Sequence, residues 1–354
     1  MNSKIKFFKK NKLLPLDEFF ENVLFNNKDG YYSSKIPFGH KGDFLTAPNI
    51  SNLFSEIIGV WLISSWNTLG KPKKFNIVEL GPGNGSLTKI LIKTFDKFPS
   101  FKRSTNIFLY EKSPLLEKIQ KKNISCPRVK WIKNFNQIKK GPIIFFGNEF
   151  FDSIPIKQFL KKDKSFLEKN IFLNQKDQII EVFKKASKNN IMNIKKFKVL
   201  KKLKFIEFPK LGFVELKKII KKITSLGGGI LLIDYGYLNP NNKNTLQSVR
   251  KHKKNNLYEN LGDADITYLV NFNLLKEFFS KNNLKVKNIV SQKFFLERMG
   301  IVERADNLCK RMSFKDQSNM YLRLKRILDN KFMGNLFKVI FAYKFKNNNF
   351  LGFQ

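Results

Sequence analysis

The stretch "VELGPGNGSL", residues 78–87, decides how this chain is read. An apolar run with β-branched Ile77 and Val78 ends in an acid, Glu79. It then breaks at Gly81, Gly83 and Gly85, with Pro82 between the first two, and resumes with helical character. Strand, glycine turn and helix in succession bring a backbone close to a nucleotide-like ligand, because glycine has no Cβ to hold the ligand off. A phosphate-cradling P-loop needs Lys and then Ser or Thr after its last glycine, and no lysine follows Gly85 there. A dinucleotide loop spaces its glycines G-x-G-x-x-G, whereas this one reads G-x-G-x-G. With no pyrophosphate to hold, such a loop need only pass flat beneath the ligand.

Working outward, strands and helices alternate. "KFNIVEL" reads as a buried strand, "GSLTKILIKTF" as a helix and "NIFLYE" as a second strand. "SPLLEKIQKK" is a helix begun by Ser113 and Pro114, "RVKWI" a short strand, and "GPIIFFGNEFFD" a strand running into a polar and aromatic corner. This alternation predicts an α/β fold, a Rossmann-like parallel sheet with helices on both faces. The ligand of such a sheet lies beyond the carboxyl ends of its strands, near the switch in strand order. From about 158 to 211, short polar and apolar runs predict hairpin strands inserted into the connectivity. "GFVELKKIIKKITSL" and "GGGILLIDYGY" return to helix and buried strand. "NLLKEFFSKNNL" reads as helix, 283–293 as strand, 297–331 as helical and "LFKVIFAYKF" as a last strand.

The expected organisation is N-terminal helices and a covering loop over 1–70 and the first part of the core over 71–160. An inserted β-rich subdomain follows over 161–211, the second part of the core over 212–296, a helical segment over 297–332, and a final strand and tail over 333–354. Within the first unit, Pro15 opens a helix to residue 25, and "GYYSSKIPFGHKGDFLTAPNIS" is a long loop whose aromatics favour order and function. "NLFSEIIGVWLISSW" then places Leu53, Ile57, Val60 and Trp61 near one helical face.

Composition bounds the function. The chain of 354 residues carries 67 Lys+Arg against 28 Asp+Glu, a net charge of +39. Nucleic acid or an anionic surface is one reading of that excess. The lysines are scattered rather than clustered, and Lys, Asn, Ile and Phe are in excess together, which points to drift in composition instead. Cys126 and Cys309 stand far apart, with no metal-ligand or disulfide-framework spacing. His40 and His252 are the sole histidines, so a His-rich metal centre is excluded and no metal is expected. No window is apolar for long enough to span a membrane, and the basic N-terminus lacks the apolar region of a secretory signal.

G-x-G-x-G after a strand ending in an acid is the usual motif of class I methyltransferases that use S-adenosylmethionine. Two further sites fit that chemistry. Glu111, at the end of the next strand, has two acceptor oxygens for the two hydroxyls of a ribose. The corner "GNEFFDSIPIKQF" sets Asn148, Glu149 and Asp152 among Phe150, Phe151 and Pro155. Enzymes that methylate adenine N6 carry [ND]-P-P-[FYW] here, and "NEFF" lacks both prolines. Carboxylates at this place suit a guanidinium, which has five donors and stays protonated when free. A carboxylate pair holds it bidentately and aims one nitrogen at the methyl carbon. Against this, Asp152 has a second reading as a helix N-cap.

The chain resembles the MidA family of class I methyltransferases, in seven blocks. They run from "GYYSSKIPFGHKGDFLTAPNISNLFSEIIGVWL" through "FNIVELGPGNGSL", "GNEFFDSIPIKQF" and "GGGILLIDYGY". "RKHKKNNLYENLGDADITYLVNF", "SQKFFLERMGI" and "MGNLFKVIFAYK" complete the set. Asn84 stands where the family's usual loop has an arginine. The resemblance implies S-adenosylmethionine as cofactor, contacted by Glu79, Gly81, Pro82, Gly83, Gly85, Glu111 and Asn148. It makes loop 39–50 a wall over the cofactor, with Asp43 and Thr46 contributing, and sets Asp263 and Asp265 near the substrate cleft. Glu149 and Asp152 are the expected catalytic pair. The mitochondrial members of the family are credited with methylating an arginine of a complex I core subunit, so a protein substrate of that kind is implied. The location is cytoplasmic for a bacterial chain and the mitochondrial matrix for a eukaryotic one. Two other classes compete: a low-turnover assembly scaffold, which would not need Glu149, and an RNA methyltransferase, which would bind RNA with strong salt dependence.

Overall fold

A run such as Phe75–Leu80, buried at every position, belongs in the middle of a sheet covered on both sides. The computed structural model puts it there, and describes residues 4–8, 12–37, 42–43, 46–163, 165–239 and 242–354. Six strands make the core: β1 (Phe75–Leu80), β2 (Thr105–Tyr110), β3 (Val129–Ile132), β4 (Ile143–Asn148), β5 (Gly228–Tyr237) and β6 (Phe337–Lys344). Their order is β3-β2-β1-β4-β5-β6, with β6 antiparallel to β5 and every other neighbour parallel. The chain leaves β1 toward one edge and returns at β4 toward the other. A crevice therefore opens beyond the carboxyl ends of β1 and β4, where a ligand site is expected. Three two-residue strands extend this sheet: Val270–Asn271 beside β5, and Lys285–Val286 and Val290–Ser291 beside β6.

The period of two divides the core. Ile77, Ile107, Ile144, Phe146 and Phe341 face the helices Asn52–Thr68 and Ser86–Asp96. Val78, Phe108, Ile143, Phe145 and Ile340 face Lys210–Leu226 and Phe272–Lys281. Each such buried side chain contributes roughly 1.5–3 kcal/mol, so the sheet is held from both sides. Glu79 shares the period of Ile77 and is drawn into the first of these faces. Of the four residues expected on one face of Asn52–Thr68, Leu53, Ile57 and Trp61 are buried, but Val60 is 38% exposed.

The β-rich insertion forms its own antiparallel sheet from Lys157–Lys162, Ser165–Leu173, Ile179–Lys185 and Phe205–Phe208. Leu13–Pro15 joins it as a fifth strand, which local pattern did not suggest. The helix Leu16–Phe25 follows at once and packs Phe19, Phe20 and Val23 against Ile171, Leu173 and Ile266. Lys157 locks this contact. Its ammonium donates to Asp17 at 2.7 Å and to Glu168 at 2.6 Å, and all three side chains are buried.

Two expectations change. Residues 283–293 hold two short strand pieces rather than one strand, because Ser291 caps a helix, accepting from the Phe294 amide at 3.1 Å. The helical segment breaks into Gln292–Arg298, Ile301–Cys309 and Phe314–Leu328, with left-handed Gly300 at the first break. A small sheet not anticipated is formed by Gln247–Arg250, Lys253–Asn255 and Asp265–Thr267, and its Gln247, Val249, Asp265 and Thr267 line the crevice. Among the described residues no helix is long and apolar enough to cross a membrane.

Candidate active site

The turn after β1 is left-handed twice, at Gly81 (φ 62°) and Gly83 (φ 58°), and Gly85 (φ 80°) begins the helix Ser86–Asp96. A Cβ on Gly81 would lie 3.1 Å from the Phe150 ring. Gly81 and Gly83 therefore present bare backbone to a cavity of about 900 Å³ at the crevice. That size is within the range of roughly 300–1,000 Å³ usual for small-molecule sites. Tyr110, Glu111, Leu116, Glu149, Asp152 and Asp265 line it too.

Each carboxylate at the cavity is held by a different element. Glu111 follows β2; its Oε1 accepts from the Ser113 amide at 2.8 Å and its Oε2 from Gln120 Nε2 at 3.0 Å. Gln120 also donates to the Gly83 carbonyl at 2.8 Å, so one side chain ties the glycine loop to the acid. Burial raises the Glu111 carboxyl, and those hydrogen bonds hold it back.

Glu149 follows β4 with φ 52°, a left-handed conformation that costs a non-glycine residue about 1 kcal/mol or more. Asn148 Nδ2 donates to its Oε1 at 3.0 Å. Burial, and then the charge of Asp152, push Glu149 up to about 8. Asp152 is buried, takes the Tyr235 hydroxyl on Oδ2, and leaves Oδ1 with no partner. Burial pushes it to about 6, with the Tyr235 bond opposing. Asp152 is therefore not acting as a helix cap.

Asp265, expected near the substrate cleft, and two residues outside the expected set, Asp234 and Tyr32, complete the geometry. Asp234, in β5, accepts from the amides of Phe151 at 2.9 Å and Asp152 at 3.2 Å, and so fixes the corner. Burial and the charge of Asp152 push its carboxyl far above the usual range. Asp265, from the small sheet, takes the Tyr32 hydroxyl at 3.0 Å on both oxygens and the Ile266 amide at 2.9 Å. Burial and then Asp152 push it up to about 8. Tyr32 is itself tied down, its carbonyl accepting from Ser113 Oγ at 2.6 Å. An acid inside the apolar run "GGGILLIDYGY" was the available signal for Asp234, since an acid is rarely buried without a task. For Tyr32 the signal was its place in the long aromatic loop, which did not mark it as a partner of Asp265.

The remaining expected residues stand behind the lining, with the exception of Thr46, which lines the cavity. Glu79 is buried against the Thr88 hydroxyl and pushed by burial up to about 7. Pro82 accepts from the Gly85 amide at 2.9 Å, and Asn148 serves Glu149. Asn84 turns its Oδ1 to the Ser86 amide at 3.1 Å. Asp43 accepts from the Tyr31 hydroxyl at 2.7 Å and from the Lys251 amide, away from the lining. The rest of loop 39–50, His40 included, lies outside the described residues except for Gly42 and the Ala47–Ile50 turn. Asp263 pairs with Lys35 at 2.6 Å on the surface and does not reach the cavity.

A family profile described as S-adenosyl-L-methionine-dependent methyltransferase matches residues 57–290. The chain belongs to the MidA family of these enzymes. Its relatives include the mitochondrial "Protein arginine methyltransferase NDUFAF7" of Xenopus tropicalis, 29% identical over 85% of this chain and 75% of that one. The Drosophila melanogaster homolog is 26% identical over 92% of this chain and 80% of its own. A Burkholderia thailandensis crystal structure with S-adenosyl-homocysteine bound shares the fold, at a TM-score of 0.81 and 20% identity. That alignment covers 96% of this chain and 90% of the other.

The cofactor is S-adenosyl-L-methionine. The site fits it: bare glycine backbone, an adjacent buried carboxylate at Glu111, and room for the ligand stand at the switch in strand order.

Proposed function

We propose that this methyltransferase transfers its methyl group to an arginine of a protein, a respiratory complex I subunit or one of similar kind. The observation that carries the reading is the pair Glu149 and Asp152, two low-exposure carboxylates on the wall of the cavity that also holds the glycine loop. The names of the mitochondrial relatives support the arginine. The complex I substrate and a matrix or cytoplasmic location rest on the family resemblance.

When bound, the cofactor supplies an already activated methyl group, so the residues of the chain position and desolvate. In this reading Gly81 and Gly83 lie under its methionine end, and Glu111 takes the ribose hydroxyls. Glu149 and Asp152 hold the guanidinium and concentrate its charge on the nitrogens they bond, which leaves a third nitrogen richer in electrons. That nitrogen must shed a proton as it gains the methyl group. Glu149, pushed up to about 8 while no cation faces it, gives up its own proton as the guanidinium binds, and the ionised carboxylate then takes the proton the nitrogen sheds.

Methyl transfer from labelled cofactor to arginine peptides of complex I subunits, followed by amino-acid analysis, tests the proposal. Labelled methylarginine supports it. Label on lysine, or on RNA and not peptide, would sink it.

A further inference from the structure

Asp152 and Asp265 are both nine-tenths buried or more, and both line the cavity with Glu149. Such acids need a partner in proportion to their burial. Asp152 has one oxygen without any. Asp265 reaches the same wall from a different sheet, with the Tyr32 hydroxyl shared between both its oxygens and the Ile266 amide on Oδ1. Two donors leave lone pairs unfilled, Oδ2 having only its share of the Tyr32 hydroxyl, since a carboxylate offers about four acceptor positions. Phe150, Tyr235 and Thr267 line the space around these acids. Among the described residues no cluster of His, Cys, Asp and Glu has the arrangement of a metal site. The demand is for a flat cation with many donors.

We propose that Asp265 is a third carboxylate of the acceptor site, receiving the substrate guanidinium together with Glu149 and the unpartnered oxygen of Asp152. Tyr32 is its positioning residue. This rests on the arginine reading above and adds specificity to it. A guanidinium has five N–H donors in one plane and serves three carboxylates at once. A lysine ammonium has three donors at a point and cannot span them. The upward shift of the Glu149 and Asp265 carboxyls agrees with this, because a site missing its cation holds protons in the cation's place. Arrival of the guanidinium releases them.

The test is calorimetric titration of the full chain, loaded with S-adenosyl-homocysteine, in two buffers of different ionisation heat at pH 7. The probes are an acetylated Gly-Arg-Gly amide and its lysine counterpart. The wild type is expected to bind the arginine probe at least tenfold more tightly than the lysine probe, with net proton release. Asp265→Asn is expected to lose at least tenfold in arginine affinity and part of the proton release, with S-adenosyl-homocysteine affinity unchanged. Tyr32→Phe, which keeps the carboxylate, is expected to fall between the two and to change the proton count. Asp265→Asn and Tyr32→Phe both binding the arginine probe as the wild type does, with the same proton count, would overturn the proposal and leave the arginine reading intact. A wild type that prefers the lysine probe, or binds neither, would overturn the arginine reading and this proposal with it.

Discussion

Replacing Lys157 with methionine removes one cation and strands two acids. Lys157 donates to Asp17 at 2.7 Å and Glu168 at 2.6 Å, with side-chain exposures of 6%, 5% and 11%. Hydrogen bonds to charged groups contribute about 1.5–3 kcal/mol each, so two of them set a loss of about 3–6 kcal/mol. That agrees with the cost of removing one partner from a buried ion pair, about 3–5 kcal/mol. Glu168 keeps its bond from Asn190 at 2.8 Å, which places the loss toward the lower end. The residual penalty lies in the stranded charges, so neutralising them should restore stability. Lys157→Met with Asp17→Asn and Glu168→Gln is therefore expected to recover more than half of the loss. Urea midpoints at pH 7 for wild type, single and triple variants measure this. A single variant within about 1 kcal/mol of wild type, or a triple variant no more stable than the single, would refute the reasoning. The helix freed by the change carries Glu21 and Phe25 into the cavity wall, so acceptor affinity should fall while cofactor affinity holds.

Four further outcomes are expected. Gly81→Val puts a branched side chain against the Phe150 ring at a left-handed position and should abolish S-adenosyl-homocysteine binding by calorimetry while the fold, by circular dichroism, persists. Glu149→Gln should cut turnover at least a hundredfold with cofactor affinity kept, in single-turnover assays. The folded protein keeps the Glu149 proton up to about pH 8 whereas the unfolded chain loses it near 4.3. Stability should therefore decline as pH rises between those values, and Glu149→Gln should flatten urea midpoints by up to ~1.4 kcal/mol per pH unit. Tyr235→Phe removes the bond that holds Asp152 near 6, and should move the acidic limb of the turnover profile upward by about 1–2 units.

Sequence and structure agree where the physics is local. β1, its glycine turn and Ser86–Asp96 are set by residues within a few positions of one another, through strand burial, left-handed glycines and a helix with Leu87, Leu91 and Phe95 inward. Glu111 followed from the same logic one strand later. What failed to show was joined over distance. Tyr32 and Asp265 meet across 233 residues, and Leu13–Pro15 finds its partner at Asn170–Phe172. Neither carries a periodicity that would betray it. Lys157 reads as one more polar residue in a strand until Asp17 and Glu168 are seen around it. The 283–293 segment misled for the opposite reason, since its strand-like residues are overruled by a local cap at Ser291.

The contrast between a chain of net charge +39 and a cavity walled by acids has a kinetic consequence. An arginine-rich segment is repelled until it comes within about a screening length, ~8–10 Å, of the mouth, where attraction takes over. Encounter with a basic partner is thus slowed at long range and favoured at short range. Added salt should speed the association of such a peptide, the reverse of the usual steering effect. A target arginine set among acidic neighbours would meet no such barrier, so the surface of this protein selects the flanks of its substrate while the cavity selects the side chain.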